Sequence, residues 1–196
     1  MPQEIIPNLY RLPVPLPGNP LKELNAYLIR GRDRCLLVDT GFRQEACRQA
    51  LFAQLKELGL GLGDVDVLLT HLHSDHSGLA PEAAGERGTI YISEVDRPAL
   101  DCTGEQRAHR WDGLTARFAD EGFPPDLLAD MEHTNPARSM APPESGRYES
   151  LTDGQVLEAG GFALRCLLMP GHTPGQMCFW AEREGIMFLG DHVLFD

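Results

Sequence analysis

The first forty residues carry apolar and polar positions in the short, punctuated blocks of β-strands. Residues 4–12, 24–30 and 34–39 read as three strands, separated by a loop carrying Pro13, Pro15, Pro17 and Pro20 and by the turn Gly31-Arg32-Asp33. Over 43–59 the period changes. Cys47, Leu51, Leu55 and Leu58 fall on one helical face, and Gly59 sits where the helix should stop. A buried strand follows at 65–70, then a short helix at 79–86 and a strand at 89–93. Residues 94–147 differ in character. Thr103-Gly104-Glu105-Gln106 has the form of a capping box, and Trp111, Leu114 and Phe118 recur behind it at helical spacing. A second helical piece is expected over 125–132, opened by Pro125-Asp126, and a looser stretch from Pro136 to Gly146 closes the segment. The Trp111/Leu114/Phe118 stripe reads either as ordinary packing of a helix on the domain or as a lid, substrate wall or subunit contact. Strands return at 155–158, 162–169, 176–182 and 186–190, broken by Gly160-Gly161 and by the turn from Glu182 to Gly185. This order of elements predicts an α/β protein with layered sheets.

Bulk properties narrow the function. A chain of 196 residues can bury a real core as one domain, or as one domain with an insertion. A net charge of −12 and only two lysines, Lys22 and Lys56, argue against a nucleic-acid groove or an anionic membrane surface as partner. No apolar run approaches membrane-spanning length, and Met1-Pro2-Gln3-Glu4-Ile5-Ile6-Pro7 lacks the basic and apolar regions of a signal peptide. Cys35, Cys47, Cys102, Cys166 and Cys178 show no C-x-x-C spacing, which favours free thiols in a reducing cytoplasm. A small-molecule substrate is the expected partner, with self-association through an exposed edge or the helical segment as a further option.

The chemistry concentrates in Thr70-His71-Leu72-His73-Ser74-Asp75-His76-Ser77-Gly78, an H-x-H-x-D-H pattern directly after the 65–70 strand. Three imidazoles and a carboxylate packed that closely suit borderline divalent ions such as zinc, iron or manganese. Position matters as well as composition, because α/β proteins place their chemistry just beyond the carboxyl ends of strands. Pro170-Gly171-His172-Thr173-Pro174-Gly175 is a tight loop between two strands, and Gly190-Asp191-His192 follows the apolar run 186–189. Beside the first cluster, His172 and Asp191 become candidate ligands too.

The three motifs, in this order, resemble those of the metallo-β-lactamase-fold hydrolase superfamily, and look nearest to its glyoxalase II-like branch. Leu36-Leu37-Val38-Asp39-Thr40-Gly41 and Asn25-Ala26-Tyr27-Leu28-Ile29 are similar to that family's early strands. The resemblance implies a layered αββα sandwich over 1–196 with a helical insertion at 94–147. It also implies that His71, His73 and His172 hold a first metal, that Asp75 and His76 hold a second, and that Asp191 bridges them. Asp39 would orient a ligand or its loop, or would instead be satisfied by the Thr40-Gly41 turn. His192 is expected to support a ligand from behind or to be structural, because adjacent residues at a strand end point in opposite directions. The family's second metal takes one more His beyond the Gly-Asp motif. His109 and His133, in the insertion, and His192 are not replacements for it, so the last layer is expected to be incomplete and the second site weakened.

The implied activity is a metal-dependent hydrolase that uses metal-bound hydroxide on a small acyl compound, a thioester of the hydroxyacylglutathione type, with one or two zinc ions and Asp75 as catalytic residue. Iron or manganese are alternative ions. Two other functions fit the ligands: a mononuclear iron persulfide dioxygenase using His71, His172 and Asp191, and an inactive metal-binding fragment.

Overall fold

The computed structural model describes residues 1–194, without the side chains of Glu132, His133 and Ala137. The His133 imidazole and the last two residues of the expected domain, Phe195 and Asp196, therefore lie outside the described residues.

The chain opens with a hairpin where a single strand over 4–12 is expected. β1 (Gln3–Ile6) and β2 (Leu9–Pro15) pair antiparallel across a turn at Pro7-Asn8, and Asn8 takes a φ of 70°. Asn tolerates the left-handed region better than most residues, which lets the chain reverse there. β2 then runs through Pro13 and Pro15, where a loop is expected. Both prolines face away from β3 (Glu23–Ile29): the Pro13 carbonyl accepts from Gln54 Nε2 and the Pro15 carbonyl from Cys47 Sγ. Each proline's missing N–H thus falls on the side where no strand pairs with it.

β4 (Cys35–Val38), β5 (Val65–Leu68), β6 (Ile90–Ser93) and β7 (Tyr148–Leu151) complete a seven-stranded sheet in chain order. The steps from β4 to β7 are parallel. β8 (Val156–Ala159), β9 (Phe162–Leu168), β10 (Met177–Ala181) and β11 (Ile186–Phe188) form a four-stranded antiparallel sheet. β4 shows how the layers are glued, since all four of its residues are buried. Cys35 and Leu37 join Leu51 and Leu55 of α1 (Glu45–Glu57) and Ala80 and Ala83 of a short helix over Ala80–Ala84. Leu36 and Val38 point the other way, onto Phe162, Leu164 and Phe179 of the second sheet. Alternation along one strand therefore feeds two cores, one under helices and one between sheets.

Between β6 and β7 the chain forms helices over Arg97–Leu100, Gly104–Asp120, Pro125–Thr134 and Pro136–Ser139. The expected capping box is present: Thr103 Oγ1 accepts from Gln106 N and Gln106 Oε1 accepts from Thr103 N. Among the described residues no helix is long and apolar enough to cross a membrane.

Candidate metal centre

Every candidate ligand sits beyond the carboxyl end of a strand, so the sheet alone brings distant residues together. Asp39 follows β4 and takes a φ of 57°, a conformation that costs any non-glycine residue something. Its carboxylate accepts from Thr70 N through Oδ1 at 2.9 Å and from Thr70 Oγ1 through Oδ2 at 2.9 Å. His76 Nδ1 lies 2.8 Å from the same Oδ2. Of the two readings of Asp39, the structure therefore favours orientation of the histidine loop.

Thr70 passes that orientation on. A hydroxyl has one proton, and it goes to Asp39. His71 Nδ1, 3.0 Å from Thr70 Oγ1, must then be the donor in its own contact. That fixes the tautomer and leaves Nε2 with a bare lone pair. Nε2 is buried and has no hydrogen-bond partner. Burial first, and the neighbouring histidines second, hold His71 far below the ordinary imidazole range, so the ring is neutral. A neutral, oriented, otherwise unsatisfied imidazole nitrogen is what a metal ligand must be.

The rings around it converge. Centroids lie 4.8 Å apart for His71 and His73, 4.8 Å for His71 and His172, and 4.5 Å for His73 and His172. Two sets of donor atoms lie within 4.8 Å of one another: His71, His73 and His172, and His71, His76 and Asp191. His71 belongs to both. Asp191 stands between them, with Oδ1 3.2 Å from His76 Nε2 and Oδ2 3.3 Å from His172 Nε2. Burial would raise the Asp191 carboxyl. The hydrogen bond from His76 and the charges of His76, His172 and His73 outweigh it, and the carboxyl is held below its ordinary range. Burial likewise works against the His76 imidazolium, but Asp39 and Asp191 overcome it and push its value up to about 10. The donor set, three neutral-capable imidazoles and a carboxylate facing two ways, fits a divalent ion.

Asp75 falls outside both sets. It lies on a four-residue helical turn, Ser74–Ser77, and its Oδ2 meets Asn19 Nδ2 at 3.4 Å. His192 is exposed in the turn Gly190–His192. The strand before it ends at Phe188, so a turn, not strand alternation, separates it from Asp191. The trio for the iron alternative, His71, His172 and Asp191, spans the two sets.

Sequence reasoning missed Asp96. This buried carboxylate accepts from Leu72 N (3.1 Å), Thr173 Oγ1 (2.8 Å) and Gly175 N (2.9 Å). It ties the His71–His73 loop to the His172 loop. A Cβ at Gly175 would collide with Ser93 Oγ and the Asp96 carboxylate, so only glycine lets the loop approach this closely. The signal was available: Asp96 also follows a parallel strand's carboxyl end.

The profile of the metallo-beta-lactamase superfamily matches residues 22–196, and the chain belongs to that superfamily. It is similar to a metallo-beta-lactamase family protein of Thermus thermophilus, at 36% identity and a TM-score of 0.81 over 97% of this chain and 61% of that one. It is also similar to a beta-lactamase domain protein of Burkholderia ambifaria, at 25% identity and a TM-score of 0.73 over 98% and 55%. Among curated proteins, an atrochrysone carboxyl ACP thioesterase of Claviceps purpurea (strain 20.1) is 27% identical over 193 residues, 98% of this chain and 47% of that protein. The chain thus spans about half the length of the curated relatives it matches.

Proposed function

We propose that this protein is a metal-dependent hydrolase of acyl thioesters. The bare, buried Nε2 of His71, facing a ring of two further histidines and a carboxylate, is the observation that carries the reading. His71, His73 and His172 would hold one ion; His76 and Asp191 would contribute to a second, which must displace the proton that Asp39 and Asp191 hold on His76, and Asp191 would be shared. Asp75 joins the second ion only if its side chain leaves Asn19. Zinc is the ion we assign first, with iron or manganese as substitutes. A divalent ion there would lower the pKa of a water it binds and polarise a carbonyl oxygen.

The chain's own residues do the rest. Asp39 holds Thr70 and His76, and Thr70 holds the proton of His71 at Nδ1. Asp96 keeps the two ligand loops in register. Asp75, on the wall of the cavity beside His73, would take a proton from an attacking water on its carboxylate once it leaves Asn19. The thioester reading draws on the thioesterase name of a relative, and a hydroxyacylglutathione-type substrate is one member of the class to be tested.

The test is metal content after extensive dialysis, followed by hydrolysis of a thioester panel by zinc-loaded and chelator-treated protein. Close to one retained equivalent and chelator-sensitive hydrolysis are expected. Oxygen uptake with a persulfide, without thioester turnover, would replace the hydrolase reading by the iron alternative.

A further inference from the structure

A cavity of about 560 Å³ opens beside His73, within the size range of small-molecule sites. It takes His73 and Asp75 into its wall, and the rest of that wall is largely apolar. Phe42 and Leu72 come from the body of the domain, and Leu100 from the helix Arg97–Leu100. Trp111, Leu114 and Phe118 come from the helix Gly104–Asp120, and Met131 from the helix after it. The placement is unusual for a long amphipathic helix. None of its residues is fully buried, and Leu114 is 38% exposed. Helices of this kind normally spend their apolar stripe on the core. Here the stripe lines a cavity that is continuous with the metal centre through His73.

We infer that this cavity binds the apolar acyl part of the substrate, with its carbonyl end at His73 and its hydrocarbon along Trp111, Leu114 and Phe118. The acyl group is therefore medium-chain or aromatic, not a small hydroxyacyl group. Two guanidiniums, Arg107 and Arg110, also stand in the wall; Arg107 donates to the carbonyls of Pro142 and Leu100 and Arg110 to that of Pro98, which ties both to the cavity rim beside the apolar stripe. A second cavity, of about 490 Å³, lies against His76 and Asp191. Its lining is mixed, and Arg11 there is already engaged by Asn25 and Glu23, each at 2.6 Å. The apolar stripe makes the His73 side the acyl side. The reaction rests on the thioester reading, but the binding does not.

Two measurements separate these. The first is kcat/KM of the zinc-loaded protein for N-acetylcysteamine thioesters from acetyl to octanoyl. The octanoyl-to-acetyl ratio is expected to be about tenfold or more, and to fall by about tenfold in Leu114→Asp, since apolar pockets discriminate methylenes on that scale. The second is octanoate binding, followed by fluorescence in a Trp180→Phe background, where Trp111 is the remaining tryptophan. Saturable quenching, lost in Leu114→Asp, supports the proposal even if no thioester is turned over; in that case only the hydrolase reading falls. Leu114→Ser, with circular dichroism as a fold check, serves if the aspartate variant does not fold. Hydrolysis with a flat chain-length profile and no quenching would overturn the proposal. So would a dimer that Leu114→Asp dissolves in a protein that binds no octanoate, because the stripe would then be a subunit contact.

Discussion

The two sides of the histidine cluster are built differently. On one, His76 is clamped between Asp39 at 2.8 Å and Asp191 at 3.2 Å, with every polar atom engaged and the ring closed off from solvent. On the other, His172 is exposed on a Gly-Pro loop and His73 looks into an apolar cavity. His71 stands between and serves both. The closed side is where the fold stores its polar interactions; the open side is where something can arrive. A substitution on the closed side should thus be felt first as lost stability, and one on the open side first as lost binding.

The largest expected effect is on the closed side. Asp39→Ala removes the acceptor for Thr70 and the partner of His76 in a site where both side chains are almost fully buried. Breaking a buried pair by deleting one member costs about 3–5 kcal/mol, roughly 6–20 °C in Tm for a chain of this size. Thermal unfolding of the metal-free protein checks this, and a shift under about 2 °C would refute the idea of a stabilising clamp.

Asp96→Ala should come next. It strands three donors, two of them backbone, and each buried unsatisfied group costs about 1–3 kcal/mol. Leu72 is half-buried and water can reach its N–H, so the total loss is about 2–4 kcal/mol, roughly 4–16 °C in Tm for a chain of this size, with weaker zinc retention although Asp96 is itself no ligand. Asp96→Asn, which keeps one acceptor oxygen, should recover part of both.

The clamp also has a pH signature. The folded-state value of His76 is raised from 6.5 to about 10. Its contribution to stability is therefore fully present below pH 6.5 and is lost as pH rises toward 10. In denaturant titrations with chelator present, stability should decline over that window, and the decline should be absent in His76→Gln. If both proteins titrate alike, His76 is not the proton holder.

The smallest structural effect is on the open side. His172→Ala should leave metal-free stability within about 0.5 kcal/mol, as exposed positions do. Zinc retained after dialysis should nevertheless fall, because one of the three proposed ligands of the first ion is gone. A large loss of stability there would erase the distinction between the two sides.

Much of this was legible in the chain. Period and punctuation revealed the helix over 45–57 and most strands, and the motifs revealed His71, His73, His76, His172 and Asp191 as neighbours. What was not legible has physical reasons. β7, Tyr-Glu-Ser-Leu, is short and half polar because only its ends face inward. β2 runs through prolines because its outer side lacks a strand there. Asp75 departs from the cluster because Ser74–Ser77 is a helical turn, which points Asp75 and His76 about 100° apart. Asp96 shares with the ligands its place beyond a parallel strand's end, but it carries no motif of its own, and its partners lie 24 to 79 residues away.

That last separation has a consequence for how the centre comes into being. The Asp96 tie joins strand ends from both sheets, and the candidate ligands run from residue 71 to residue 191. Contacts so far apart in sequence form late, after the costlier loops have closed. During synthesis the H-x-H-x-D-H loop emerges long before Asp191 does, and it meets its partners only when the second sheet docks. On the proposed metal reading, ion uptake becomes a clock for this protein: a zinc-sensitive signal during refolding should lag the appearance of secondary structure, and mark the moment at which the two sheets have found each other.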